Sequence, residues 1–160
     1  MKKIFMVCYG GGHVRIIKNV YEELIKEKDL EVKIFALTEG QKFLSNLNIS
    51  YMNMKKYHEI IQDKGAENLG TEIIKELNLN FNDKESILYY GYSFKELIAK
   101  YGKEKGIEGY LKFGRWCFLA TNFMKRVLEY EKPDLIITTN SPRMEKATLV
   151  VAKNLNIPSI

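Results

Sequence analysis

The sequence predicts an α/β domain built on a doubly wound, mostly parallel sheet of the Rossmann-like kind. Three observations carry that expectation. Short apolar runs rich in β-branched and aromatic residues recur at residues 3–8, 31–37 and 135–139, as strands buried on both faces do. The segments between them place apolar residues at helical spacing. The first run passes directly into Gly10-Gly11-Gly12-His13, a glycine turn where strand gives way to helix.

After that turn Val14, Ile17, Tyr21, Leu24 and Ile25 mark a helix that closes near Asp29. Residues 31–37 form the second strand. Thr38 and Gln41 then have capping-box spacing, which opens a short helix through Leu47. Residues 49–54 alternate and read as a third strand. A β-α-β-α-β start implies parallel pairing through right-handed crossovers.

The middle is less regular. Residues 66–77 read as a helix through Leu69, Ile73 and Leu77. Ser93 and Glu96 form a capping box that starts a helix through Tyr101, after which Gly102, Gly106 and Gly109 break the chain. A long helix follows over residues 114–130, with Trp116, Leu119, Phe123 and Val127 inward. The turn at Pro133-Asp134 leads to the strand at 135–139. Ser141 reads as the N-cap and Pro142 as the first residue of a helix running to Asn154. Residues 157–160 begin another strand, and the sequence stops inside it. The expectation is one Rossmann-like domain over residues 1–160, the N-terminal half of a longer two-domain protein. A small subunit that docks on a separate partner is the alternative.

Composition narrows the class. The chain has 160 residues, 46% of them apolar, enough for a real core. No apolar run approaches the roughly 18 residues of a membrane span. The run after Lys2-Lys3 ends in glycines, not at a signal cleavage site, so a cytoplasmic location is expected. Cys8 and Cys117 lie in apolar patterns and are expected buried and reduced. His13 and His58 have no Cys/His cluster around them, so no metal is expected. The net charge of +5 fits an anionic partner or simply a lysine-rich surface. The lysines are dispersed, which argues against nucleic acid.

The glycine loop should lie at the carboxyl end of the first strand, where ligands bind in open α/β sheets. Glycines bring backbone N–H groups close to a ligand, and the helix N-terminus favours an anion. The P-loop pattern is absent, and so is the nucleophile elbow of lipases. Gly10 and Gly12 fit the dinucleotide fingerprint, but Arg15 stands where its third glycine belongs.

What remains, Cys8-Tyr9-Gly10-Gly11-Gly12-His13, resembles the opening of the N-terminal domain of two-domain, GT-B-type glycosyltransferases. These belong to the UDP-glycosyltransferase/glycogen phosphorylase-like superfamily, related to the non-hydrolysing UDP-sugar 2-epimerases. A second match is Lys132-Pro133-Asp134 with its apolar strand, a helix, and Asn156-Ile157-Pro158. The resemblance covers about residues 1–38 and 130–160. The epimerases open with Gly-Thr-Arg-Pro-Glu and carry an acidic residue after the later strand. This chain has Gly-Gly-Gly-His and Asn140-Ser141-Pro142-Arg143, and both departures favour a transferase.

The resemblance implies the acceptor-side half of an enzyme that moves a sugar from a nucleotide-sugar donor to a hydroxyl acceptor, of cell-surface glycan or glycolipid type. It implies no separate cofactor, a donor nucleotide held mainly by a C-terminal domain or partner subunit, and room for a peripheral membrane contact. An epimerase-like isomerase and a non-catalytic, partner-dependent subunit remain the alternatives. His13 would act as the base on the acceptor hydroxyl or orient it; capping the helix is its plainer role. Gly10, Gly11 and Gly12 would bind substrate, with Arg15 and Arg143 as anion ligands or surface arginines. Asn140 and Ser141 would cap the helix first and touch ligand second. No carboxylate partner for His13 is identifiable. Arg115 and Trp116 fit a stacking or acceptor site, or a core tryptophan. His58 reads as a surface histidine. The cluster Tyr89-Tyr90-Gly91-Tyr92 fits a sugar platform but better fits core packing.

Overall fold

The computed structural model describes residues 1–140 and 142–160. Three strands, β1 (Lys2–Cys8), β2 (Leu30–Ala36) and β3 (Leu135–Thr138), pair in parallel in the order β2-β1-β3. Helices α1 (Gly12–Leu24) and α2 (Glu39–Asn46) flank β2. Helices α3 (Met54–Ile61), α4 (Lys64–Glu76), α5 (Lys84–Tyr101), α6 (Lys103–Phe113) and α7 (Thr121–Glu131) fill the chain before β3. Helix α8 (Met144–Asn154) follows it.

The two-residue period of β1 divides the core. Ile4, Met6 and Cys8 pack with Val14, Ile17 and Leu44 of α1 and α2 on one face. Phe5 and Val7 pack on the other with Phe35, Leu37 and Ile136, beneath residues of α3–α5, α7 and α8. Helices cover both faces, as a doubly wound sheet requires.

The sheet is narrower than the sequence predicts. In the expected third strand only Met52 pairs, through a parallel bridge to Phe35. Its N–H donates to the Ile34 carbonyl at 2.8 Å and its carbonyl accepts from the Ala36 N–H at 2.9 Å. The next residue, Asn53, caps α3 by accepting from the Lys56 N–H, so the chain turns helical before a strand can extend. At the other edge residues 157–160 do pair with β3: Ser159 bridges Ile136, and the Ile160 N–H donates to the Ile136 carbonyl at 2.9 Å. With both bridges counted, the spatial order is Met52, β2, β1, β3, Ser159, and the direction of winding reverses between β1 and β3.

The middle of the chain departs most from expectation. Asp83 caps α5, accepting from the Ser86 N–H at 2.8 Å, and Ser93 lies buried midway along that helix rather than at its start. Gly106 and Gly109 sit inside α6; only Gly102 and Gly114, both at positive φ, mark breaks. The expected helix over 114–130 is a 3₁₀ turn (Gly114–Cys117) followed by α7. Phe118 is extended between them, so the helical phase is lost. Phe123 and Val127 are buried as expected, whereas Trp116 is 77% exposed. His58 is buried, not at the surface: its Nδ1 lies 2.9 Å from the Tyr92 hydroxyl and its Nε2 3.3 Å from Glu67. Helix α2 forms without a Thr38 side-chain cap. Helix α8 starts at Met144, so Pro142 precedes it instead of opening it.

Helices α4 and α5 cross where Gly70 meets Ile87 and Gly91 meets Ala66. A Cβ on either glycine would run into the facing backbone carbonyl oxygen. Gly91→Ala should therefore cost about 3 kcal/mol or more, since backbone cannot yield as a side chain can. Urea unfolding would read this; a loss below about 1 kcal/mol would mean that the helices part at little cost.

Asp63 caps α4 and pairs with Lys95 at 2.7 Å and Arg126 at 3.4 Å. Burial alone would raise its carboxyl, but Lys95, the Ala66 N–H and Arg126 outweigh burial and hold it below the usual range. A depressed carboxylate adds stability that is present above its unfolded pKa of about 3.9 and lost as pH falls through the folded value. Asp63→Asn keeps a capping oxygen and removes the charge. It should cost about 1 kcal/mol at pH 7, with the gap to the unmodified protein closing below about pH 4. Urea unfolding at neutral and acid pH checks both the size and the direction.

Candidate functional site

The reversal of strand order places the ends of β1 and β3 side by side, and the chain's chemistry gathers there. The glycine loop leaves β1, the 139–143 segment leaves β3, and each leads into a helix.

The three glycines differ in what they do. A Cβ on Gly10 would come within 2.6 Å of the Glu39 Cβ, so this position is glycine because α2 packs against the loop. Gly11 stands at φ +67°, in the region that favours glycine, and precedes α1. Gly12 has nothing within 4 Å of where a side chain would be, and it opens onto free space at the start of α1.

His13 follows, half-buried. Its Nδ1 lies 2.6 Å from Thr139 Oγ1, and the Thr139 hydroxyl donates to Glu145 Oε2 at 2.6 Å. Glu145 is fully buried in the first turn of α8 and also accepts from the Tyr9 N–H at 3.3 Å. The helix N-terminus, one hydroxyl and one amide thus support this carboxylate. The proton count then sets the ring. A threonine hydroxyl has one hydrogen, and an ionised carboxylate only accepts. Thr139 spends its hydrogen on Glu145, so it must accept from His13 Nδ1–H. In the neutral ring the lone pair is then on Nε2, which makes no hydrogen bond among the described residues.

Sequence reasoning missed Thr139 and Glu145 as His13's partners. The signal available was a lone acid, Glu145, in the first turn of a helix that starts beside the glycine loop.

The remaining expected residues scatter around this chain. Arg143, at φ +68° just before α8, lays its guanidinium over the Tyr9 ring, 4.6 Å from the centroid. The Tyr9 hydroxyl accepts from the Met144 N–H and donates to the Tyr89 hydroxyl at 3.5 Å. Arg15 turns away and lies over Phe43, 5.8 Å from its centroid, in a small cleft shared with Gly11 and Lys42. Asn140 is exposed at the end of β3. Ser141 lies outside the described residues.

A cleft of about 620 Å³ opens between α2 and α5, walled by Tyr51, Phe81, Tyr89, Tyr90 and Arg115. Tyr89 and Tyr90 are buried in the core, as core packing requires, and they also line this cleft. Glu85 in its wall accepts from Gln41 and from the Met54 and Lys55 N–H groups, while burial raises its carboxyl.

Both cysteines are free, Cys8 buried and Cys117 half-buried. Burial, with the nearby Glu145 charge, pushes the Cys8 thiol up to about 12, which leaves it protonated and unreactive. Among the described residues no group of three or more His, Cys, Asp or Glu side chains is placed to hold a metal ion. None of the described helices is long and apolar enough to cross a membrane.

Thr139→Val should free the His13 ring from its single tautomer and leave Glu145 short of a donor. The cost should be about 1 to 3 kcal/mol of stability. Nitrogen-15 spectra of the imidazole check the tautomer: Nδ1–H in the unmodified protein and a mixture in the variant. An unchanged ring spectrum would break the proposed hydrogen-bond order.

No family model matches the chain, and no curated protein matches it. Solved structures that share its fold include S. aureus MnaA in a co-structure with UDP. That structure is 14% identical, aligned over 99% of this chain and 28% of that one, with a TM-score of 0.54. Another is UDP-GlcNAc 2-epimerase from Neisseria meningitidis bound to UDP-GlcNAc, 15% identical over 98% of this chain and 31% of that one, TM-score 0.53. The chain therefore spans less than a third of either neighbour's length. At such identity the likeness is one of fold: this chain has the Rossmann-like α/β architecture of a domain found in UDP-sugar enzymes.

Proposed function

We propose that this chain is the acceptor-side domain of a nucleotide-sugar-dependent glycosyltransferase, with His13 as the general base. The observation that carries the reading is the hydrogen-bonded series His13–Thr139–Glu145 at the point where strand order reverses. His13 Nε2 takes the proton of an acceptor hydroxyl as its oxygen attacks the anomeric carbon. The bond from that carbon to the nucleotide diphosphate breaks, and its electron pair leaves with the diphosphate. The proton rests on His13, whose new charge is answered through Thr139 by buried Glu145. The first-turn N–H groups of α1 begin at the glycine loop and favour an anionic group there. A second domain or a partner subunit would hold the nucleotide.

One observation favours a second reading. The Neisseria meningitidis neighbour is a UDP-sugar 2-epimerase, and the same fold and base would suit removal of a proton from a sugar carbon. The products separate the two. A transferase releases UDP only when a hydroxyl acceptor is present. An epimerase interconverts UDP-sugars without acceptor and takes up deuterium from heavy water.

With the donor-side domain present, His13→Ala should lower acceptor-dependent UDP release by about 10²-fold or more, as loss of a general base does, with the circular dichroism spectrum unchanged. Near-normal turnover would remove His13 from the mechanism.

A further inference from the structure

Four cations gather beside the His13 series, and among the described residues none of them forms an ion pair. Lys100 ends α5, Arg115 lies in the 3₁₀ turn, and Arg143 and Lys146 flank the start of α8. Lys100, Arg143 and Lys146 line a groove of about 510 Å³ together with Tyr101 and Trp116. Arg115, Trp116 and Arg143 enclose a smaller adjoining space of about 170 Å³. Trp116 and Arg143 belong to both, and Arg115 also lines the large cleft between α2 and α5. The one carboxylate in the groove wall, Glu96, accepts from the Asn122 N–H and the Thr121 hydroxyl.

Two further features bear on what the groove takes. Arg143 Nε is buried with no hydrogen-bond partner among the described residues, in a side chain held from a left-handed backbone position. The apolar rim is the second. Trp116 is 77% exposed and Tyr101 51%, and both line the groove together with Leu97, Phe118 and Leu119. Cations alone would serve a free phosphate. Exposed aromatic side chains in the same wall fit a phosphate joined to hydrocarbon.

We infer that this groove binds the phosphate of an acceptor that carries an apolar chain, with the chain lying along Trp116 and Tyr101. The word acceptor rests on the reading above; the binding does not. Phosphate oxygens meet Arg115, Arg143, Lys100 and Lys146, and the part of the acceptor beyond the phosphate reaches past Tyr9 toward His13.

Trp116 is the chain's single tryptophan, so its fluorescence reports the groove directly. Decyl phosphate, below its micelle concentration, should shift the emission saturably. It should bind at least tenfold tighter than methyl phosphate, which lacks the chain, and than decyl glucoside, which lacks the charge. Arg115→Gln combined with Lys146→Gln alters two exposed side chains. It should weaken decyl phosphate about tenfold and leave decyl glucoside unchanged. Raised salt should act in the same direction. Decyl glucoside binding as tightly as decyl phosphate would overturn the phosphate site. Methyl phosphate binding as tightly would overturn the apolar chain, and the absence of a saturable shift would overturn both. The His13 reading stands or falls on turnover instead. Tight decyl phosphate binding in a protein whose turnover ignores His13→Ala would keep the groove and discard the base.

Discussion

The buried Glu145 carboxylate is the constraint on which the site depends. A charge taken out of water is tolerated only when hydrogen bonds and fixed dipoles replace its hydration. Among the described residues Glu145 draws such groups from separate places in the chain: the start of α8, the Thr139 hydroxyl after β3, and the Tyr9 N–H after β1. Each fixes something else. Thr139, committed to Glu145, dictates the tautomer of His13. Tyr9, held at its amide, presents its ring to Arg143 and its hydroxyl to Tyr89. One carboxylate thus joins the two strand ends and orients the His13 ring, which backbone pairing of β1 with β3 alone would not do.

The helical segment before β3 gives the site its outer wall. Helix α5 is positioned by the close crossing at Gly70 and Gly91, where backbone meets backbone without intervening side chains. That closeness brings Tyr89 within reach of Tyr9 and turns Tyr90 toward Phe118 and Tyr110. The aromatic core and the cleft wall are therefore the same residues seen from two sides.

Legibility in the sequence followed the range of the forces involved. Strands β1, β2 and β3 and helix α1 were readable because their burial imposes a period on neighbouring residues. The His13 position was readable for the same local reason. The third strand was not, because Asn53 diverts the chain after Met52, and a cap overrides an alternating pattern. The capping box at Ser93 misled because a serine inside a buried helix has the same spacing to Glu96 as one at a helix start. Trp116 was misplaced because Gly114 ends one helix at a spacing that keeps apolar residues in apparent phase with the next. The His13–Thr139–Glu145 series was invisible because its members are brought together only by the pairing of β1 with β3.

The glycine loop itself looks different once folded. Three consecutive glycines read as one anion cradle, yet Gly10 is required by α2 and Gly11 by its backbone angle. Only Gly12 leaves its side-chain position open. The electropositive character of the site is then shared between two elements: the N-terminus of α1 beside His13, and the cations that follow β3 and flank Trp116. A ligand held by both must span from the β1 end toward α8, across the face of Tyr9. That path would pass Nε2 of His13, the nitrogen turned away from the Thr139–Glu145 arrangement.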